Sequence, residues 1–347
     1  KFPIYLVPVG INYGHHTKPL CDLHLVFGKP IEVREFIDDS VSKAETINNI
    51  REKLSSGMKK CIWLPDNDIN YSKRKKLINR INTKMDFEDL ERRLSDDTKA
   101  FLLCNPHNPT GNCWSREDLE TLVSLCDRNG TVVLSDEIHC DFVASGHTYT
   151  PIFSLESEFA ERNAVSFKSA TKSFNLSAFK TGYIYARNKK LLDEIVATGH
   201  SQVVNTLGVV ASRAAYEESG IWLDAVVSYI DQNMYYLESY LSKHVPLINF
   251  KRPEGTYLAW LDFSDWMEKI GAKKLAASEN KDRADDAPKI HAGDIMERSL
   301  IEEAGVQLDR GYRFGAGGEN FMRMNVGTSR LLLKSALDNI TNAIRAS

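Results

Sequence analysis

The chain has 347 residues and a mass of 39.2 kDa, and its 44 Lys+Arg against 47 Asp+Glu give a formal charge of −3. Hydrophobic residues make up 42% and charged residues 26%, an ordinary globular balance that excludes wholesale disorder and, at this length, argues for two domains with real cores. A pI near 6.4 gives no bulk attraction to nucleic acid or an anionic membrane, and no stretch approaches the ~18 consecutive apolar residues of a membrane span.

The sequence opens on Lys1, not methionine, and runs directly into a strand-like segment over residues 2–9. A basic flank, a longer apolar core and a small-residue cleavage site would mark a signal peptide. None is present, and the start reads as cut. Strand-like residues 4–9 lead to a corner at Gly10 and Tyr13-Gly14; residues 23–27 end at Gly28, and a short run over 31–33 precedes an amphipathic helix over 42–61. The adjacent His15 and His16 have no further ligand cluster and read as loop histidines. Residues 66–84 are polar and basic, a linker composition. The six cysteines (Cys21, Cys61, Cys104, Cys113, Cys126, Cys140) form no C-x-x-C pair and read as small core residues of a reducing, cytoplasmic compartment.

From Met85 helical and buried-strand patterns alternate, which argues a parallel α/β sheet. Residues 99–104 (KAFLLC) form a short strand stopped by Asn105-Pro106-His107-Asn108-Pro109-Thr110-Gly111. Ser115 with Asp118 makes a near capping box; Leu119, Leu122, Val123 and Cys126 share one helical face, and Gly130 closes the helix. The strand at 131–134 (TVVL) is continuously apolar, as expected of a strand covered on both faces, and ends in Ser135-Asp136-Glu137. Another, at 164–167, delivers Ser169-Ala170-Thr171-Lys172. Asn108, Asp136 and Lys172 thus each follow the carboxyl end of a parallel strand, the edge where open α/β sheets bind ligands. An Asp after a strand is most often a turn former, and a lone Lys a solvated charge; it is the three together, in order, that point to a site. Toward the C-terminus a helix starts near Met234, a strand covers 256–263, and an alanine-rich charged insertion at 276–289 reads as a surface loop. Gly315-Ala316-Gly317-Gly318 lacks the third glycine of a dinucleotide fingerprint and is a loop.

The blocks CNPHNPTG, SDEIHCDF and SATKSFNLSAFKTG resemble the signatures of the fold-type I pyridoxal-phosphate enzymes of the aminotransferase class I/II superfamily. The His after Asp-Glu-Ile, the Phe-Asn after the lysine and the run from Gly255 to Asp262 resemble the MalY/PatB group of cystathionine β-lyases. The resemblance covers about three quarters of the chain. It implies an aspartate-aminotransferase fold with a pyridoxal 5′-phosphate cofactor, an amino-acid substrate and a homodimer. Lys172 would hold the cofactor as a Schiff base and act as base at Cα. Asp136 would pair with the pyridine nitrogen, Asn108 and His139 would reach the phenolic oxygen, and Ser169 would bind phosphate. Lys180 stands where relatives commonly carry a phosphate-binding arginine, keeping the charge without the fork. Arg323, in FMRMNVG, would grip the substrate carboxylate. The implied reaction is α,β-elimination of a thiol from cystathionine, cysteine or another S-substituted amino acid, leaving pyruvate and ammonia; transamination is the alternative that shares its early steps.

The family's N-terminal arm, first large-domain helices, Gly/Ser-rich phosphate loop and ring-stacking aromatic have no counterpart ahead of residue 85. Instead Val7-Pro8-Val9-Gly10-Ile11-Asn12-Tyr13 and Val26-Phe27-Gly28-Lys29-Pro30-Ile31 resemble the last part of a PlsC-like glycerolipid acyltransferase, without its H-x4-D motif: His16 to Asp22 is one residue too long. The expected organisation is an acyltransferase-like fragment (1–65), a junction (66–84), an α/β large domain lacking its front (85–233) and an α+β small domain (234–347). Three readings follow: a C–S lyase or aminotransferase, a piece of a bifunctional fusion with an acyltransferase, and a non-catalytic hybrid.

Overall fold

A computed structural model describes residues 85–198, 204–281, 283–284, 287–315 and 317–347, and of the first 84 residues only 5–6, 9–13, 20–21, 23–27, 31–36, 46–47, 49–54 and 56. The chain divides into two compact units, one formed by residues 1–15 and 21–80 and the other by residues 16–20 and 81–347.

In the first unit, β1 (Tyr5–Leu6) pairs antiparallel with β5 (Ile31–Glu32), and β2 (Val9–Tyr13) with β4 (Leu23–Phe27). Gly10 therefore lies inside β2, opposite Val26, and not at the expected corner; a strand tolerates glycine when cross-strand pairing holds its backbone extended. Positions 46–47, 49–54 and 56 are helical, within the expected helix. The junction at 66–84, His15, His16 and parts of the acyltransferase-like blocks (7–8 and 28–30) lie outside the described residues.

In the second unit, β6 (Ala100–Cys104), β7 (Val132–Asp136) and β8 (Ala164–Lys168) are parallel neighbours, and β9 (Tyr183–Tyr185) closes antiparallel on β8. Between β6 and β7 runs helix α1 (Arg116–Arg128). Ser115 and Asp118 cap it reciprocally, and Gly130, at φ +62°, follows its C-cap. Leu119, Leu122, Val123 and Cys126 are all buried, as their helical spacing predicts. They pack on the sheet face carrying Phe101, Leu103 and Val133, together with helix α2 (Glu158–Asn163). The expectation that β7 is covered on both faces fails. Its burial alternates: Val133 and Ser135 are fully buried, while Val132, Leu134 and Asp136 are half-buried. The half-buried face of the sheet, with Leu102 and Leu134, lines a cleft.

The C-terminal part is an antiparallel sheet in the order β10 (Asn249–Phe250), β11 (Leu258–Asp262), β13 (Phe321–Asn325), β12 (Asp309–Arg310). Long helix α6 (Gly220–His244) and the last helix, α10 (Arg330–Ala346), share its core with Phe263, Trp266, Met296 and Met322. Here α6 starts at Gly220, fourteen residues before the expected Met234. The alanine-rich insertion is also partly helical. Helix α8 (Ala272–Lys281) buries Ala272 and Ala276, and the Asn280 amide ties it to Ile290. Ala, Lys and Glu are strong helix formers, and charged composition alone had suggested a loop. Among the described residues no helix is long and apolar enough to cross a membrane.

Two glycines fix how this sheet meets the N-P-T-G turn. Gly111 sits at φ +76°, and a Cβ there would stand 2.1 Å from Pro253 Cβ; a Cβ on Gly255 would stand 2.8 Å from both the Phe142 carbonyl oxygen and Pro106 Cβ. The Gly255 amide donates to the Gly111 carbonyl at 2.8 Å, and the Thr256 amide to that of Phe142 at 2.8 Å. Gly146, at φ +86°, has nothing within 4 Å of its would-be Cβ. Gly146→Ala should therefore cost about 1 kcal/mol, from backbone conformation alone, and Gly111→Ala at least about 2 kcal/mol more, because backbone must move. Urea unfolding of both variants checks the difference; equal losses would show that the close approach is not a constraint.

Candidate active site

Parallel register brings the strand ends level. Cys104 pairs with Asp136, and Asp136 with Phe167, so the turns after β6, β7 and β8 open on one edge. The chain beyond β8 begins a short helical turn, α3 (Ala170–Ser173), whose N-cap Ser169 accepts from the Thr171 amide at 3.0 Å. That turn carries Lys172. Between Asp136 and Lys172 the structure places a cleft of about 690 Å³, which Ser169, Lys180, Thr181 and Gly182 also line.

The carboxylate next to Asp136 explains the rigidity of this edge. Glu137 is 1% exposed. It accepts from Ser135 Oγ at 2.9 Å, Ser166 Oγ at 2.8 Å and the Ile152 amide at 3.1 Å, and it pairs with Lys168 Nζ at 3.3 Å. Being alternate along β7, Glu137 faces the covered side while Asp136 faces the cleft. Burial pushes the Asp136 carboxyl upward, opposed by the Ile138 amide, which donates to it at 3.1 Å, and by the Lys172 charge.

Asn108 and Arg323 form a second group. Arg323 Nη1 donates to Asn108 Oδ1 at 2.8 Å, Nε donates to Asp309 Oδ2 at 3.1 Å, and the guanidinium lies 4.4 Å from the Phe314 ring centre. Asp309 stands opposite Arg323 in the β12–β13 register. His139 links the two groups. Its ring is buried against Tyr257 (centroids 5.4 Å apart) and Phe142. Burial first, then the Lys172 and Arg323 charges, lowers its pKa to about 4, so the ring is neutral near pH 7. Its Nδ1 is buried with no hydrogen-bond partner.

Of the seven residues singled out from sequence, Asp136, Ser169, Lys172 and Lys180 line one cleft, and Asn108 and Arg323 are bonded to each other. His139 feels the charges of both groups. Two carry qualifications. The Ser169 hydroxyl already serves Thr171 and the Thr181 carbonyl. Lys180 is exposed in a left-handed backbone conformation at φ +52°. Sequence reasoning did not single out Tyr257, Glu137, Lys168 or Asp309. Tyr257 and Glu137 stood inside quoted blocks, and the even spacing of Ser135, Glu137, Ser166 and Lys168 along two strands was the available signal. Nothing in sequence places Asp309 beside Arg323.

The chemistry of this donor set fits pyridoxal phosphate. An amine and a carboxylate share a cleft, and an orphaned buried ring nitrogen stands near them, as a bound heterocycle with polar substituents requires.

The His139 shift has a pH consequence. A histidine at 6.5 when unfolded and about 4 when folded binds fewer protons in the native state, so it subtracts stability as pH falls from 6.5 through 4 and nothing above. His139→Phe should thus gain about 3 kcal/mol on the parent between pH 7 and pH 4. Urea unfolding across that range tests it; parallel curves for the two proteins would contradict it.

The family model for aminotransferase class I and II matches residues 67–340. Cystathionine beta-lyase PatB of Bacillus subtilis is 36% identical over 265 residues, covering 75% of this chain and 62% of its own length. Protein MalY of Escherichia coli is 32% identical, with 72% and 58% covered. Among solved structures, the PLP-bound C-S lyase from Staphylococcus hominis superposes with a TM-score of 0.63 at 32% identity, over 75% of this chain and 62% of that one. Cystalysin from Treponema denticola, which contains pyridoxal 5′-phosphate, superposes with a TM-score of 0.66 at 26% identity, over 76% and 62%. The chain spans about three-fifths of the length of the curated relatives it matches. It belongs to the aminotransferase class I and II family.

Proposed function

We propose that this chain holds pyridoxal 5′-phosphate on Lys172 and acts as a C–S lyase, eliminating a thiol from the β-carbon of an S-substituted amino acid. The observation that carries this is the shared cleft of Lys172 and Asp136 beside the orphaned Nδ1 of His139. The names of the relatives, cystathionine beta-lyase and C-S lyase, favour elimination over transamination, which uses the same residues.

Bound there, the cofactor supplies an electron sink for the pair left when a proton departs Cα. The Asp136 carboxylate would hold a proton on the ring nitrogen; in the chain without cofactor the Lys172 charge and the Ile138 amide oppose the upward push of burial on that carboxyl. The Asn108 amide has its oxygen committed to Arg323, so its NH2 end would be the donor to the phenolic oxygen. Neutral His139 would offer a second polar contact to the same atom. Lys180 supplies the positive charge for phosphate, and Ser169 acts by shaping the turn through its capping bonds. Arg323, steadied by Asn108, Asp309 and Phe314, receives the substrate carboxylate and so fixes Cα within reach of the Lys172 amine, which removes the proton. The thiolate then leaves Cβ, and water completes the release of pyruvate and ammonia.

Cysteines scattered singly through the sequence, with no C-x-x-C pair among Cys104, Cys113, Cys126 and Cys140, support a reducing, cytoplasmic setting. Exposed Tyr183 and Tyr185 on β9, with Leu207 and Val210 on the helix at Thr206–Glu218, support association into a homodimer.

Adding pyridoxal phosphate to the purified chain should produce a visible absorption band distinct from free cofactor. Lys172→Ala should abolish it, and Asp136→Asn should weaken cofactor retention at least about tenfold. Pyruvate should follow on adding an S-substituted cysteine, and Arg323→Ala should raise KM far more than it lowers kcat. A band that survives Lys172→Ala would overturn the assignment.

A further inference from the structure

Lys172 faces two clefts. Besides the one it shares with Asp136, it lines a second of about 580 Å³ between α6 and the ends of β11 and β13. Trp222, Val226, Tyr229 and Ile230 form one stripe of α6 at helical spacing, and all four line this space with Phe142 and Tyr257. Trp222 stacks on Phe174, two residues beyond Lys172, with ring centres 6.1 Å apart. Trp222 and Tyr229 are 47% and 41% exposed, so the stripe is open to a ligand. Its polar rim consists of uncharged groups, among them Asn175, Ser177, Asn325 and Thr328. Asp141 lies behind Ser173, whose hydroxyl it accepts. Among the described lining residues, Lys172 is the sole charged side chain.

Arg323 sits two residues before Asn325 on β13 and points to the same side of the sheet. A substrate whose carboxylate lay on Arg323 and whose Cα lay at Lys172 would have this second cleft, which Lys172 and Asn325 both line, within reach of its Cβ substituent. We propose that the second cleft receives the leaving thiol and selects an uncharged, apolar one, with Trp222 the residue that sets the preference; this rests on the function proposed above. The substrates are then S-alkyl or S-aryl cysteines. Cystathionine fits poorly: its leaving group, homocysteine, carries an ammonium and a carboxylate. Among the described lining residues the ammonium meets no acid and is repelled by Lys172, and the carboxylate finds no second cation. Elimination itself is balanced within the substrate: the Cα–H pair forms the Cα–Cβ double bond, and the C–S pair leaves as thiolate to take up a proton.

The leaving thiols themselves are the probes. Calorimetric titration of the full chain under reducing conditions, without cofactor, should show benzyl mercaptan binding at least about tenfold more tightly than homocysteine. Trp222→Ala should remove most of that difference, and Trp222→Phe should keep it. With cofactor added, S-benzyl-L-cysteine should release pyruvate with a kcat/KM about tenfold or more above that for L-cystathionine. Trp222→Ala should lower the S-benzyl value about tenfold more than the S-methyl value, a ratio that a general loss of folded protein does not change. Homocysteine binding as tightly as benzyl mercaptan, or equal losses for both S-substituents, would overturn the proposal. Failure of the visible band would instead overturn the cofactor assignment and leave the thiol-binding result to be read by itself.

Discussion

The site depends on one buried carboxylate. Glu137 is nearly inaccessible to solvent and accepts from the hydroxyls of Ser135 and Ser166 and from the Ile152 amide, while pairing with Lys168. A buried charge this well satisfied is expensive to break, at about 3–5 kcal/mol for loss of one partner. It joins the ends of β7 and β8 to the segment at 150–152. Asp136 is its neighbour in sequence, and Lys172 follows Lys168 by four residues, across the Ser169 cap. The carboxylate and amine of the cleft therefore take their positions from a network centred on the covered face of the sheet, from which Lys168 reaches the border of the cleft.

The second constraint is the contact of backbone with backbone at Gly111 and Gly255. The N-P-T-G turn and the strand that brings Tyr257 approach too closely for a side chain at either position. That contact presents Asn108 to Arg323 across 215 residues of sequence. The hydrogen bond between them fixes both groups: the guanidinium that is proposed to receive the substrate carboxylate, and the amide that is proposed to meet the cofactor. His139, neutral and with an unpartnered nitrogen, fills the space between these two devices.

Much of this was legible in the sequence because the chemistry lies at strand ends. Strand–turn–helix units announce their own termini: the prolines after Cys104, the capping box at Ser115 and the change from apolar residues to Ser135-Asp136-Glu137. Order along the chain then becomes order along a sheet edge. Periodicity could not tell whether β7 was covered on one face or two, because Val132 and Leu134 are apolar though only half-buried, and Leu134 lines a cleft. Composition misjudged residues 276–281, the part of the expected loop at 276–289 that belongs to helix α8, where alanine and lysine are good helix formers. The start of α6 was placed late because its first turns, Ile221 and Trp222 included, expose the apolar residues by which a buried stripe is normally recognised. The ring of residues around Arg323 was invisible, since Asp309 and Phe314 reach it only through the antiparallel register of β12 and β13.

In the proposed function Lys172 is the amine that holds the cofactor, selected by its place beside the cleft. Lys168 and Lys180 border the same space, which makes a direct comparison possible. Treating the chain with pyridoxal phosphate, fixing the linkage with borohydride and mapping the labelled peptides should put the label on Lys172 in near-stoichiometric amount, with Lys168 and Lys180 unmodified. Label spread among surface lysines, or centred on Lys180, would contradict the site described here.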